Sequence, residues 1–420
     1  MTQHGWRGLT NVIDTLKERG FVSPVSDEAG LRAALEQPLT AYCGYDPTDS
    51  SLTHGNLVTI MMLAHLQRAG HRPIALVGGG TGMIGDPGDK TSARPLLTVE
   101  EVDSNLNAQK GQLSRFLEFG DGRAEMVNNA DWLRSIGFID FLRDVGKHFS
   151  INVMLDLEFV RTRLASQSGF SYLEFSYILL QAYDYLELYR RYGCTLQVGG
   201  SDQWANILAG ADLIRRIEGG KAYGLVAPLV TASSGRKVSK SEGNAVYLDP
   251  TRTSPYEFYQ FWINAEDDDV ERYLAIYTFL PMNEVRALGR LEGADLRRAK
   301  EVLAFEATKL THGDEAAVRA EETSRAIFRG EVASTGAVPK TEVTGAEIAA
   351  GIPVVDLVVR IGFEASKNRA RTLIDQRGLR LNGEEVTAVD RVLNERDFRD
   401  GEAMLQKGRK THHRLVVSER

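Results

Sequence analysis

Lys237 and Lys240 stand three residues apart in Gly235-Arg-Lys-Val-Ser-Lys-Ser-Glu-Gly243, among serines and glycines. Two ammonium groups on a mobile loop can follow a polyphosphate and stabilise the charge that develops on it. A bare K-x-x-K is more often only a solvated basic loop. Tyr177, Gln181 and Asp184 recur at i, i+4 and i+7 and so share one face of a helix, while Leu179 and Leu180 face elsewhere. Inside an α/β domain such a polar stripe lines a pocket, or else forms a structural Tyr177–Asp184 hydrogen-bonded pair. The third feature is Tyr42 to Leu57, Y-C-G-Y-D-P-T-D-S-S-L-T-H-G-N-L. It reads as a strand end, a polar turn and a helix N-terminus, where free N–H groups and the helix dipole suit phosphate.

The elements that position these residues follow from periodicity. Thr40 to Tyr45 reads as a strand, and Leu57, Ile60, Met61 and Ala64 have helical spacing. Pro73 to Gly78 is a continuous apolar run, as in a buried parallel strand, and it empties into a loop with five glycines between 78 and 85. Residues 98–119 and 131–165 read as helical, with a short strand at 125–129 between them. A helix over 175–191, a strand over 195–198, a helix over 203–217 and an apolar run over 225–230 complete the alternation. The pattern predicts an α/β fold, a Rossmann-like doubly wound parallel sheet, with ligands beyond the carboxyl ends of the strands at the switch point. The Tyr42, Gly78 and Gly199 turns belong at that edge.

After Asp249-Pro250 the chain reads as helical to Phe328. Residues 330–351 are small, glycine- and proline-punctuated and poor in large apolar residues, which predicts a linker. From Ile352 a compact unit begins, with helices over 353–361 and 366–377 and a strand and turn from Gly378. The expected domains are therefore 1–230, 231–330, a linker over 331–351, and 352–420.

The 420 residues are too many for one ordinary core, and 43% apolar with 25% charged residues is a globular composition. Cys43 and Cys194 are far apart and form no C-x-x-C pair, which argues against a disulfide framework or structural zinc. The N-terminus shows no signal core and no run of about 18 apolar residues occurs, so a soluble cytoplasmic protein is expected. The net charge of −7 excludes a uniformly basic coat. From Ile352 onward, 14 Lys/Arg face 11 Asp/Glu, a local +3 that leaves −10 for the rest. The expected polyanion surface is thus C-terminal. No Ser–His–Asp set and no metal-ligand cluster is found; His412-His413 reads as a surface pair.

K-V-S-K-S resembles the K-M-S-K-S signature of class I aminoacyl-tRNA synthetases, and T-H-G-N stands where their H-I-G-H would be. The strings Y-C-G-Y-D-P-T, A-L-V-G-G-G-T-G-M-I-G-D-P, F-L-R-D-V-G-K-H-F-S, E-F-S-Y-I-L-L-Q-A-Y-D, Q-V-G-G-S-D-Q-W and S-P-Y-E-F-Y-Q-F-W-I-N are similar to the bacterial tyrosyl family in order and spacing. The C-terminal unit resembles an S4-type RNA-binding module. The resemblance implies a Rossmann-like catalytic domain, a signature loop with an α-helical anticodon-side domain, and a small α+β S4-like domain. It implies tyrosine–tRNA ligation with ATP and Mg²⁺ as co-substrates, tRNA(Tyr) as partner, and a homodimer with its interface around Phe141 to Ile151.

By the same resemblance, Tyr42 and Asp184 meet the substrate phenol, while Tyr177, Gln181, Asn129 and Asp86 hold the ammonium end. Asp86 alone would read as a turn residue before proline. Gln203 lies near the reacting carboxylate. Gly44 and Asp46 approach the nucleotide, glycine permitting close approach. Asp202 takes the ribose hydroxyls with Gly200 clearing room, although a lone G-G-S-D more often caps a helix. Lys90 and Arg94, otherwise a solvated pair, join Lys237 and Lys240 as a cationic clamp on pyrophosphate. Thr53 and Asn56 replace the two signature histidines around Gly55, Thr48 shares the γ-phosphate, and His54 should point away from ATP. Lys367, Arg369, Arg371, Arg377, Lys407, Arg409 and Lys410 should grip tRNA. Two other readings are a tryptophanyl relative on the same fold and a catalytically silent S4-type RNA-binding protein.

Overall fold

The computed structural model describes residues 11–87, 97–165, 169–231, 233, 246–328, 338–408 and 411–418. The chain divides into two compact units. One takes the residues up to Asp249 together with Ala265–Thr311; the other takes Pro250–Asn264 and everything from His312 onward.

In the first unit, α1 (Val12–Glu18) and α2 (Glu28–Ala34) are capped by Asn11 and Asp27, whose side chains accept from Ile13 and Gly30 N–H groups. They precede a five-stranded parallel sheet in the order β3-β2-β1-β4-β5, with β1 (Thr40–Tyr45), β2 (Arg72–Val77), β3 (Glu125–Asn128), β4 (Cys194–Gly200) and β5 (Tyr223–Ala227). β1 is central and pairs with β2 on one side and β4 on the other, so the strand order reverses between β1 and β4 and opens a crevice there. Its residues are buried except Gly44, as expected of a strand covered on both faces. Both cysteines are buried free thiols.

The crossovers are α3 (His54–Arg68), α4 (Val99–Leu113) and a run of short helices, α5 (Ala130–Leu133), α6 (Phe138–Asp144), α7 (Ile151–Leu155) and α8 (Glu158–Ala165). The continuous helical reading of 131–165 is thus broken three times. α9 (Tyr172–Tyr192) runs 21 residues because both ends are specified. Ser171 and Glu174 form a capping box, and Gly193 stops the helix in the left-handed region at φ 62°. α10 (Trp204–Glu218) packs beside it and stops at Gly219, φ 64°. Tyr42, Ile74, Ile178, Tyr185, Leu186 and Leu213 join one buried core between sheet and helices. After α11 (Pro255–Ile263), which belongs to the other unit, α12 (Val270–Tyr277), α13 (Met282–Gly289) and α14 (Leu296–His312) return to the first.

The second unit contains α11, α15 (Asp314–Phe328) and a sheet ordered β6-β12-β11-β8-β9, made of β6 (Lys340–Thr344), β8 (Leu379–Leu381), β9 (Glu384–Glu385), β11 (Glu402–Lys407) and β12 (Thr411–Ser418). A two-stranded piece pairs β7 (Ile352–Pro353) with β10 (Val392–Leu393). The helices are α16 (Gly345–Ala350), α17 (Val354–Arg360) and α18 (Lys367–Asp375). Here the structure corrects the described part, 338–351, of the linker expected over 331–351. Lys340–Thr344 pairs in parallel with Arg414–Ser418, and Val343 and Ile348 enter the same core as Leu357 and Leu405. The composition misleads because the partner strand lies more than 70 residues away. The single helical domain expected over 231–330 is likewise shared between the two units. Among the described residues no helix is long and apolar enough to cross a membrane.

Candidate active site

The carboxyl ends of β1, β2 and β4 open into a cleft of about 510 Å³. At one end sits Asp184, 2% exposed on α9. Its Oδ1 accepts from Trp132 Nε1 at 2.7 Å and its Oδ2 from Asn129 Nδ2 at 2.8 Å. Burial pushes this carboxyl up to about 8, against the pull of the two donors. Tyr42, from β1, is fully buried beside it and in ring contact with Tyr185. Its hydroxyl has no hydrogen-bond partner among the described residues. Burial, and then the nearby Asp184 charge, hold that phenol well above its ordinary pKa, so it stays a neutral donor. An unpartnered buried O–H beside a buried carboxyl is costly until a polar ligand atom arrives.

Next along the cleft, Tyr177 Oη donates to Asp46 Oδ2 at 2.7 Å, and Thr81 Oγ1 donates to Asp46 Oδ1 at 2.7 Å. A Cβ at Gly78 would collide with that carboxylate, so the glycine of the loop after β2 is needed there. Asn129 departs from its expected grouping with the ammonium set. Its Nδ2 bonds Thr81 Oγ1 and Asp184, and its Oδ1 accepts from Gly80 N–H, which ties the glycine loop to the phenol end.

The remaining polar residues form a chain. Gln181 Nε2 donates to Gln203 Oε1 at 3.0 Å, and Gln203 Nε2 donates to Asp86 Oδ2 at 2.7 Å and Asp202 Oδ2 at 3.0 Å. Asn206 on α10 donates to Gln181 Oε1 at 3.0 Å and steadies both glutamines. Asp202 is exposed at the turn after β4. Gly44 is the exposed residue of β1, and a Cβ there would meet nothing within 4 Å, so the strand surface is open. At Gly200 a Cβ would collide with Asp202 Oδ1, so the glycine admits the Asp202 carboxylate beside it.

At the other end Thr53 is the N-cap of α3. Its N–H and Oγ1 donate to Asn56 Oδ1 at 2.9 and 3.1 Å. Two donors on one oxygen fix the amide and leave the Asn56 Nδ2 hydrogens for another acceptor. A Cβ at Gly55 would meet only Thr53 Oγ1, at 3.7 Å. Thr48 lines the same stretch, its N–H bonded to Asp46 O. His54 is 6% exposed, with its N–H on Val246 O, and burial pulls its imidazole down to about 4, so it is neutral at pH 7. Lys90, Arg94, Lys237 and Lys240 lie outside the described residues.

Residues 34–329 match the model of the class I tRNA synthetases (W and Y), and residues 332–415 match that of the tyrosine–tRNA ligase SYY-like C-terminal domain. The tyrosine–tRNA ligase of Desulfatibacillum aliphaticivorans is 48% identical over 428 residues, covering 98% of this chain and 99% of the relative. That of Caldanaerobacter subterraneus is 48% identical over 97% of this chain and all of its own. The chain belongs to the tyrosine–tRNA ligase family. Its fold also matches the C-terminally truncated mitochondrial tyrosyl-tRNA synthetase of Aspergillus nidulans, with TM-score 0.70 and 30% identity over 77% of this chain and 95% of the other. The tryptophanyl-tRNA synthetase of Encephalitozoon cuniculi, at 13% identity and TM-score 0.55, shares the fold alone.

In this member of the tyrosine–tRNA ligase family, sequence reasoning missed Trp132, Thr81 and Asn206. Trp132 and Thr81 carry no spacing signal towards Asp184 or Asp46, while Asn206 sits three residues after Gln203 on the same helical turn. In the C-terminal unit Arg369, Arg371 and Arg377 are exposed on and after α18. Lys367 pairs with Asp356 at 2.7 Å, and Lys407 bonds Phe363 O and pairs with Glu364. Their ammonium groups are partly neutralised locally. Arg409 and Lys410 lie outside the described residues.

Proposed function

We infer that this chain activates L-tyrosine with ATP and transfers the tyrosyl group to the 3′-terminal ribose of tRNA(Tyr). The observation that carries the reading is the buried Tyr42 hydroxyl, without a partner among the described residues, beside the Asp184 carboxyl held by Asn129 and Trp132. A phenol hydroxyl entering there satisfies both groups, whereas phenylalanine leaves them unpaired. Tyrosine–tRNA ligases are the known example of discrimination of roughly 10⁵ by this device.

The residues then take named roles. Tyr177, Gln181 and Asp86 hold the tyrosine ammonium, and Asn129 orients Asp184. Gln203 sits by the carboxylate, Gly44 and Asp46 bound the nucleotide, and Asp202 receives the ribose hydroxyls. Thr48, Thr53 and the Asn56 amide hydrogens meet the triphosphate at the α3 N-terminus. Lys90, Arg94, Lys237 and Lys240 clamp the leaving group. ATP arrives as its Mg²⁺ complex. A carboxylate oxygen of tyrosine attacks the α-phosphorus in line, the bond to the bridging oxygen breaks, and magnesium pyrophosphate departs. A ribose hydroxyl of tRNA then attacks the tyrosyl carbonyl and AMP leaves. Catalysis is positioning and charge stabilisation, with no side-chain nucleophile.

The domain reading proposed is a catalytic unit with a C-terminal RNA-binding unit whose α18 arginines contact tRNA, in a cytoplasmic homodimer. An exposed apolar face supports the dimer: Phe138, Ile139, Ile151, Val153 and Tyr172 are all more than half exposed, an unusual concentration for a monomer surface. Ile139→Asp should sediment as a monomer where the unaltered chain sediments as a dimer. Tyrosine-dependent exchange between ATP and pyrophosphate tests the activity; no exchange in folded, magnesium-supplied protein would overturn it.

A further inference from the structure

The turn between β1 and α3 has almost no regular backbone pairing of its own, yet its polar groups are held. Three side-chain amides on one face of α4, Asn105, Gln109 and Gln112, recur at i, i+4 and i+7. Asn105 Nδ2 donates to Pro47 O at 2.9 Å, Gln109 Nε2 to Asp49 O at 2.9 Å and Gln112 Nε2 to Ser50 O at 3.2 Å. Gln112 Oε1 also accepts from Leu52 N–H at 2.9 Å. Gln109 and Gln112 are 2% and 8% exposed. From another side, Val246–Asp249 grips the end of the turn: His54 N–H reaches Val246 O at 3.0 Å, Leu248 N–H reaches Leu52 O at 2.9 Å, and Asp249 N–H reaches Ser51 Oγ at 3.1 Å.

Burial alone would be served by leucine or methionine at 109 and 112. What leucine cannot do is satisfy carbonyls and an N–H that a loop leaves open. The Asp184 hydrogen bonds run instead to Asn129 and Trp132, neither of which belongs to the turn or to α4. We propose that the Asn105–Gln109–Gln112 ladder consists of positioning residues for adenylate formation, setting Thr48, Thr53 and Asn56 at the height at which they meet the triphosphate. This rests on the assignment of that turn to the phosphates. Asn105 and Gln112 do not line the cleft and act through the turn, whereas Gln109 also borders the cleft. A displacement near 1 Å in a site that works by orientation is worth up to about 10²-fold in rate.

The test is single-turnover adenylate formation and equilibrium tyrosine binding for Gln112→Leu, Gln109→Leu, Asn105→Ala and Gln112→Glu, with Asn56→Ala alongside. The two leucine variants should lose about 10- to 10²-fold in rate at saturating tyrosine, with a raised KM for ATP and tyrosine affinity within about twofold. Gln112→Glu, which keeps the acceptor for Leu52 N–H, should recover part of the rate. If a leucine variant fails to fold, Asn105→Ala decides: Asn105 is partly exposed and makes one such bond, so the loss should be about tenfold or less. Full rate in folded variants while Asn56→Ala is slow would overturn the ladder alone. Equal losses in tyrosine affinity and rate would also overturn it, showing a general structural role. A silent Asn56→Ala would instead remove the phosphate assignment of the turn.

Discussion

The two ends of the cleft are built on opposite plans. At the Asp184 end the chemistry-bearing groups are buried or, for Asp46, half-buried, and locked by side-chain hydrogen bonds, Asn129 and Trp132 onto Asp184, Tyr177 and Thr81 onto Asp46. At the Thr53 end the side chains bond mainly each other, and what is locked is the backbone beneath them, by α4 amides and by Val246–Asp249. A buried, preorganised pocket suits recognition of one hydroxyl, where an unpaired group is strongly penalised. A polyphosphate end must release pyrophosphate, so a held backbone with adaptable side chains suits it better. On the proposed assignment, specificity rests on side-chain networks and turnover on the position of a turn.

The comparison is most exposed to Asp184→Asn. It should lower kcat/KM for tyrosine by about 10²-fold, the cost of a lost hydrogen bond with Asn129 and Trp132 left mispaired beside it, and narrow discrimination against phenylalanine. An unaltered phenylalanine ratio would mean that the phenol is read elsewhere. At the other end, Asn56→Ala should slow adenylate formation about tenfold with tyrosine affinity unchanged, and Thr53→His should alter only that same step. A shift of tyrosine affinity in either variant would erase the division between the ends. Tyr42→Phe removes one neutral donor and should cost about tenfold or less in tyrosine binding, measured by equilibrium titration.

The smallest effects separate the ends by pH. Asp184 holds its proton in the folded state up to about 8, while an unfolded aspartate releases it near its ordinary value. Its contribution to stability therefore declines as pH rises across that window. His54 refuses a proton until about 4, while an unfolded histidine takes one near 6.5, so its contribution is present above 6.5 and is lost as pH falls towards 4. Thermal unfolding of Asp184→Asn should flatten the decline that runs from the ordinary aspartate value up to about 8, and His54→Gln the loss on falling from 6.5 towards 4. Parallel slopes in the two variants would contradict the assigned environments. His65 and His413, the latter buried against Thr341 rather than lying on the surface as expected, are pulled down to about 3 and about 4 by burial and add to the acid slope whichever end is altered.

Much of the site was legible before any tertiary contact. The i, i+4, i+7 stripe of Tyr177, Gln181 and Asp184 needs only a helix, and α9 is specified locally by Ser171, Glu174 and Gly193. The strand that carries Tyr42 and the helix opening at Thr53 follow from alternation and spacing of apolar residues. The Gly44 opening follows from the absence of a side chain. What stayed illegible was partnership. Trp132 reaches Asp184 across 52 positions, and Gln112 reaches Leu52 across 60. The same stripe logic would have marked Asn105, Gln109 and Gln112, yet nothing local says what their amides hold.

By itself the sequence determined the repeating α/β alternation, the glycines at turns and the polar faces of helices, because those depend on periods of 3.6 and 2 residues and on single-residue conformational limits. The tertiary structure alone decided that 340–351 is sheet and helix, that Asn129 serves Asp184, and that the Thr53 turn is held from α4. Each is a hydrogen bond or strand pairing between distant segments, and only packing of the whole unit sets such distances.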